Sequence, residues 1–274
     1  MQFWTLDEIE QHAMADHEVG EEISPGVTIT RRRILQVGVA GAGLLAMASA
    51  TGSAMGLPRG AMRAGAGVEP LTIEQLLAEI RPRAMRMIAS DSASSRPDES
   101  AYLDAVSRLL ARYTPEEPWS LRPIGDQGWS MNAAGRIPPI VVFDIHMQPG
   151  SMIELHDHRH YNGVLRCNEG SVRCRNFDIV QPDGARLDIA GGEVPAADES
   201  FLIRENKDAV LVPGAYSTLS RDRDNIHHIE AGPEGCKLSD VFTYFRREAR
   251  SYGLEWDAKP VSNRSDTYEV AWKD

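Results

Sequence analysis

PGSMIELHDHRHYNGVLRCNEG, residues 149–170, sets glycines and histidines in the order G-x5-H-x-H-x4-G-x6-G. His156 and His158 flank Asp157. Side chains on a strand alternate faces, so residues two apart project together and can converge on one metal ion. Neutral imidazole suits iron, zinc, copper and nickel. An isolated H-x-H is more often a pair of surface histidines. Here Gly150, Gly163 and Gly170 punctuate it as turn residues between short strands of a barrel. A third ligand must come from elsewhere in the fold, and the other dense source is Asn225-Ile226-His227-His228. His160 shares the parity of the pair and is expected to face the same pocket, as a supporting or solvated histidine rather than a fourth ligand. His228 alternates with His227 and should point away, as a structural residue.

The surroundings agree with a barrel. From Trp119 onward short β-branched and aromatic runs recur every 8–12 residues (PIVVFDIHM, GVLRC, VRCRNFDIV, SFLIRE, AVLVP, NIHHIEA, KLSDVFTYF, TYEVAW), with Gly, Pro, Asn and Asp between them. Before Trp119 the period changes. Residues 71–90 read as an amphipathic helix that Pro82 should interrupt, and SAYLDAVSRLLARY from Ser100 as a second. Cys167 and Cys174 flank Asn-Glu-Gly-Ser-Val-Arg. A two-residue Gly170-Ser171 hairpin turn would set them opposite each other. They then read either as a cross-strand disulfide or, more plainly, as two small buried thiols, with Cys236 a third buried one.

The head of the chain is a separate object. The 274 residues carry 29 Lys+Arg against 40 Asp+Glu, a net charge of −11. Residues 1–30 hold seven acids and no Lys or Arg, then Arg31, Arg32 and Arg33, then nothing ionisable from Ile34 to Ala54. Thr30-Arg-Arg-Arg-Ile-Leu-Gln36, followed by a weakly hydrophobic Gly/Ala-rich stretch and small-residue cleavage candidates at Ala48, Ala50 and Ala54, resembles a twin-arginine export signal. Gln36 stands where that class usually has Lys, and the acidic leader is long. Two readings compete, a soluble buried helix, weakened by four glycines, and a permanent membrane span, weakened by the Gly, Ala, Ser, Thr and Gln that dilute the stretch. The division is 1–54 leader, 55–118 helical arm and 119–274 metal-binding domain. An acidic chain with no long basic run is a poor binder of phosphate backbones, so nucleic acid is not an expected partner. The membrane enters only through the signal segment, whose partner is the twin-arginine export machinery. The expected location is therefore the periplasm or beyond.

The 149–170 pattern resembles the first metal-binding motif of the cupin superfamily, small double-stranded β-helices or jelly rolls, so the expected fold is mainly β with about two preceding α-helices. The usual motif has Glu where this chain has Gly163, which leaves a neutral three-histidine site. Such sites are typical of thiol dioxygenases. Pro149-Gly150, the His-Asp-His pair, Asn225-Ile226-His227 and Asp240-Val241-Phe242 resemble the branch that oxidises cysteamine and N-terminal cysteine. Thr243-Tyr244-Phe245 replaces that branch's Pro-Pro-Tyr, and with Gly163 in place of a cysteine no Cys–Tyr cross-link is expected.

The resemblance implies Fe(II) held by His156, His158 and His227, with three adjacent open positions for a thiol, its amine and dioxygen, and a sulfinate as product. Asp240 would orient a ligand imidazole or the substrate amine, although a strand-edge carboxylate is an equal reading. His160 and Tyr161 complete the candidate catalytic set, and Arg122 is the candidate for binding a substrate carboxylate. The alternatives are a metal cupin enzyme with non-thiol chemistry and a non-catalytic metal- or small-molecule-binding cupin of the cell envelope. No G-x-S-x-G, P-loop or C-x-x-C is present, so hydrolase, NTPase and zinc-finger readings lack a warrant.

Overall fold

The computed structural model describes residues 69–91, 99–115, 127–189, 192–246, 249–262 and 264–273. The export-signal segment and Arg122 lie outside the described residues. In chain order the elements are α1 (Ile73–Ala89), α2 (Glu99–Leu110), β1 (Trp129–Ile137), β2 (Ile140–Met147), β3 (Met152–Asp157), β4 (Tyr161–Val180), β5 (Phe201–Leu211), β6 (Tyr216–Leu219), β7 (Ile226–Tyr244), β8 (Leu254–Pro260) and β9 (Thr267–Trp272).

The two longest strands, β4 and β7, pair along most of their length and belong to two sheets at once. Their pairing runs from Tyr161↔Tyr244 to Gly170↔Cys236, slips, and resumes from Val172↔Ala231 to Phe177↔Ile226. On one side of the slip the order is β1-β2-β7-β4, with β6 on the far edge of β4. On the other side β3 flanks β7, and β5, β9 and β8 continue from β4. Every ladder between named strands is antiparallel. A bridge between His156 and Gly253 brings the β3 edge against the segment entering β8. The result is a jelly roll, the mainly β fold class read from the sequence.

Gly170 sits at the corner. Its φ is +70°, and a Cβ there would meet the Gly235 carbonyl oxygen at 2.0 Å. The two backbones can therefore cross this closely only with a glycine at 170. The corner also corrects the expectation of a Gly170-Ser171 hairpin. The chain bends from one sheet into the other and stays in β4, so Cys167 and Cys174 lie on one strand rather than opposite each other. All three cysteines are free, buried thiols, and burial pushes Cys167 up to about 11 and Cys174 up to about 12.

Between the sheets lies a core that includes Ile145, Leu165, Ile229 and Leu238, while Phe177, Ile179, Ile203 and Tyr268 form a second cluster. The helices cover the outside of the first sheet. Leu76, Leu77, Ile80 and Met87 of α1 and Tyr102, Leu103, Val106 and Leu110 of α2 pack on Ile140, Val142, Val164 and Val241. Thr72 caps α1 through a capping box with Gln75. Pro82 does not interrupt α1, contrary to expectation. Buried residues on both sides of it, Leu76 to Ile80 and Ala84 to Met87, share one face against the sheet, and that burial outweighs the lost backbone hydrogen bond.

Candidate metal centre

His156 is the last residue but one of β3 and His227 the second of β7, and the two are register partners across the ladder. Strict alternation would put His156 on the face opposite Ile153, yet both line one cavity. The register slips between Ile153 and His156, and this irregularity turns the imidazole inward. His158 follows one residue past the strand end. Its backbone N–H donates to the Asn225 carbonyl at 2.7 Å, and the Asn225 amide donates to the Arg221 carbonyl at 3.2 Å. The Asn of the Asn-Ile-His run thus fixes one ligand segment against the other.

The three imidazoles converge. Ring centroids are 5.1 Å apart for His156 and His158, 4.4 Å for His156 and His227, and 4.6 Å for His158 and His227. One nitrogen from each falls within 4.8 Å of the others, and this is the one such three-residue group among the described residues. His156 Nδ1 lies 2.7 Å from the Glu154 carbonyl. A carbonyl only accepts, so Nδ1 carries the proton and Nε2 presents a lone pair. His156 Nε2 stands 2.9 Å from His227 Nε2. Two nitrogens at about 2.1 Å from one ion and at right angles would be about 3.0 Å apart.

His227 Nδ1 and both ring nitrogens of His158 are buried without a hydrogen-bond partner. Burial holds the His156 imidazole down to about 4 and those of His158 and His227 well below the usual value. Three neutral, inward-facing imidazoles, two of them with ring nitrogens lacking partners, are what a transition-metal ion requires, so the residues fit one.

The cavity beside them holds about 40 Å³. Its walls are largely aromatic and aliphatic: Phe143, Ile145, Ile229, Phe242, Tyr161 and Tyr244. Tyr161, the first residue of β4, has its ring centroid 4.3 Å from that of His158 and stacks on Tyr244 at 5.0 Å. Its hydroxyl meets that of Ser251, and burial raises its pKa well above the usual phenol value. Asp240 lines the same cavity from the far half of β7. Its Oδ1 has no partner, and burial pushes the carboxyl up to about 8 despite a backbone hydrogen bond at Val241.

His160 lies elsewhere. The chain leaves the strand after Asp157, so parity no longer applies. His160 occupies a half-buried turn, outside the cavity lining, where its carbonyl accepts from the Phe245 N–H at 3.0 Å. His228 points to the other side of β7, beside Trp256 at 5.6 Å between ring centroids.

Residues 250–253, after β7, carry no motif and were missed in the sequence. Arg250 and Ser251 line the cavity. The Tyr252 N–H donates to Asp157 Oδ1 at 2.7 Å, and the Asp157 N–H donates to the Tyr252 carbonyl at 3.0 Å. Asp157 also pairs with Arg159, whose guanidinium lies 4.3 Å from both the Tyr252 and Trp272 ring centroids. The aspartate between the two ligands therefore ties them to the C-terminal segment.

Asp240 yields a pH prediction for protein stripped with chelator. Between about pH 4 and 8 the folded carboxyl keeps a proton that the unfolded chain has released, so stability falls as pH rises through that window, by up to about 1.4 kcal/mol per pH unit. Asp240→Asn is expected to flatten that slope, leaving the variant more stable than the parent at pH 8 and close to it at pH 4. Urea denaturation across this range checks it.

No family model matches the chain, and no curated protein matches it. Among solved structures it is similar to KdgF from Halomonas sp., at 13% identity over 46% of this chain and 89% of that one, TM-score 0.31. It is also similar to the Schizosaccharomyces pombe Cnp3 cupin domain, at 9% over 46% and 69%, TM-score 0.32. A recombinant oxalate oxidase in complex with glycolate is similar at 10% over 49% and 60%, TM-score 0.33. Likeness at this level does not carry an activity from those proteins to this one.

Proposed function

We propose that the protein is an Fe(II)-dependent thiol dioxygenase that adds both atoms of O2 to the sulfur of a small thiol, RSH + O2 giving RSO2H. The observation that carries this reading is the ligand group itself: three buried, neutral histidines and no carboxylate. A Cβ at Gly163 would stand 3.1 Å from Leu219 Cδ1 and 3.3 Å from Phe242 Cδ1. An acidic side chain could therefore start from this place only if those two side chains gave way by a few tenths of an ångström.

Iron held by His156, His158 and His227 would keep its full double charge and supply a centre that deprotonates a thiol and brings it beside dioxygen. The chain's own residues do the rest. Phe242, Tyr161 and Tyr244 wall the site against water, which strengthens every charge interaction within it. Asp240 presents Oδ1 to the cavity, where it can accept a hydrogen bond from a substrate amine. Tyr161 stays protonated at neutral pH and, with Ser251, offers a hydroxyl pair beside His158. We further propose that the chain is exported by the twin-arginine route, which carries folded proteins and so suits a site loaded with metal before export.

The test is oxygen consumption by anaerobically iron-loaded protein with cysteamine, cysteine, 3-mercaptopropionate and a peptide with N-terminal cysteine, with mass spectrometry of the products. A gain of two oxygen atoms on one of these thiols is expected. Stoichiometric iron with no sulfinate from any of them would overturn the proposal in favour of another metal-dependent activity or of binding alone.

A further inference from the structure

We infer that Arg159 is a positioning residue, which sets the direction of His158 and through it the affinity and geometry of the metal centre. The inference rests on the metal site of the dioxygenase reading and not on its thiol chemistry.

His158 lacks what ordinarily aims a metal-binding imidazole. Such a ring usually donates its second nitrogen to a carbonyl or carboxylate, and that bond fixes its rotation. His156 has the Glu154 carbonyl for this, at 2.7 Å. Neither ring nitrogen of His158 has a hydrogen-bond partner, although the residue is fully buried. The ring is left with packing against Tyr161 and Phe242, at 4.3 and 5.3 Å between centroids. Its direction therefore depends on the backbone that carries it.

That backbone is held by the residues on either side of His158. Asp157 and Arg159 pair with each other and both engage Tyr252, while His158 between them meets His156 and His227. The Arg159 guanidinium rests 4.3 Å from the ring centroids of both Tyr252 and Trp272. Trp272 is anchored in turn: its Nε1 donates to the Pro195 carbonyl at 3.2 Å, and its ring lies 4.8 Å from that of Phe201. Tyr252 donates its N–H to Asp157 Oδ1 and accepts the Asp157 N–H, so Asp157, Arg159 and Tyr252 close a ring of contacts. Asp157 is 1% exposed, and among the described residues Arg159 is the cation paired with it. Without Arg159 the buried carboxylate loses its compensating charge. The segment relieves this by shifting, and His158 shifts with it.

The experiment measures cobalt(II) affinity and the visible absorption of cobalt-loaded, full-length protein, with thermal melting of the metal-free form as the measure of fold. Arg159→Met is expected to bind cobalt about 10–100-fold more weakly, with altered absorption bands. Arg159→Lys keeps a charge for Asp157 but loses the planar group on the rings, and should recover part of the affinity. A second variant leaves the ion pair in place: Trp272→Leu removes one of the two rings and should weaken cobalt by about fivefold. Arg175→Met is the matched control. Its guanidinium lies 4.9 and 5.3 Å from the Trp256 and Tyr268 ring centroids and its Nε donates to Glu205 at 2.8 Å, but its register partner is His228. That variant should melt lower and keep the parent's affinity and spectrum. Parent affinity and spectrum in Arg159→Met overturn the role, and Trp272→Leu decides it if Arg159→Met does not fold. An equal loss in Arg175→Met overturns it as well. The expected losses without sulfinate from any thiol leave the inference standing while the dioxygenase reading falls, and sulfinate with unchanged affinities does the reverse. A parent that binds no cobalt overturns both.

Discussion

Replacing His227 by alanine is expected to strip the protein of its metal while leaving it folded. His227 faces His156 across the β3–β7 ladder, with their Nε2 atoms 2.9 Å apart, so its loss removes one corner of a three-nitrogen site. Two imidazoles and water hold a divalent ion far more weakly. A metal centre that contributes several kcal/mol to a reaction takes on the order of 10³-fold of the rate with it. Stability responds less. The imidazole is neutral, 1% exposed and carries a partnerless Nδ1, so its removal relieves one unsatisfied polar atom as it opens a small void. Metal analysis after loading and thermal melting separate the two effects. His228→Ala is the matched control, one residue along the same strand but turned toward Trp256, and should keep its metal. Normal metal in His227→Ala, or its loss in His228→Ala, would refute the ligand assignment.

The candidate ligands were legible because their spacing is local, whereas the devices that aim them are not. His156-Asp157-His158 and Asn225-Ile226-His227 can be picked out as residue patterns. The parity rule applied to the first pair is only part of the physics. A slip in the β3–β7 register turns His156 inward, and His158 lies past the strand end, held by the Asn225 carbonyl. The same rule carried one step further misplaces His160, since a turn has no alternating faces.

Strand count failed for a related reason. GVLRC and VRCRNFDIV read as two strands separated by a turn, yet both belong to β4. NIHHIEA and KLSDVFTYF likewise fuse in β7. A glycine with positive φ suits either a hairpin or a bend between sheets. Only the partner backbone, here Gly235 against Gly170, decides which.

Residues 250–253 were invisible for a third reason. They contribute one guanidinium, one hydroxyl and two backbone bonds to Asp157, and none of these has a characteristic spacing. Asp240 was nameable from its motif. Its burial, which turns an ordinary carboxyl into one that holds a proton to about pH 8, depends on β7 passing through the middle of the barrel.

The largest loss of stability is expected from Glu99→Ala, because of what it leaves behind. Arg221 is 7% exposed and Glu99 5%. Arg221 Nε donates to Glu99 Oε1 at 2.9 Å, its terminal nitrogens donate to Asp91 at 2.9 and 3.2 Å, and its guanidinium lies 3.3 Å from the Phe245 ring centroid. Glu99 also accepts from the Asn162 amide at 3.0 Å. Burial raises the Glu99 pKa and Arg221 works against that rise, so the pair is held together at the cost of desolvation. Removing Glu99 leaves Arg221 its part-exposed Asp91 partner but takes away the buried half of its compensation and the acceptor of the Asn162 amide, which puts the cost toward the lower end of about 3–5 kcal/mol.

Replacing both at once with apolar residues of similar size, Glu99→Leu with Arg221→Met, should cost less, because no buried charge is left uncompensated and Asp91, which loses Arg221, is part-exposed to water. The pair also bears on the metal. Glu99 opens α2, Asn162 follows Tyr161, and the Arg221 carbonyl holds the Asn225 amide, two residues before His227. Helices that lie outside the barrel thus bear on the position of a candidate ligand inside it. Urea denaturation of the single and double variants, with metal affinity measured on each, distinguishes the two effects. Recovery of stability in the double variant, with metal affinity still below the parent's, is the expected pattern. Full recovery of both would confine the ion pair to holding the helices on the sheet.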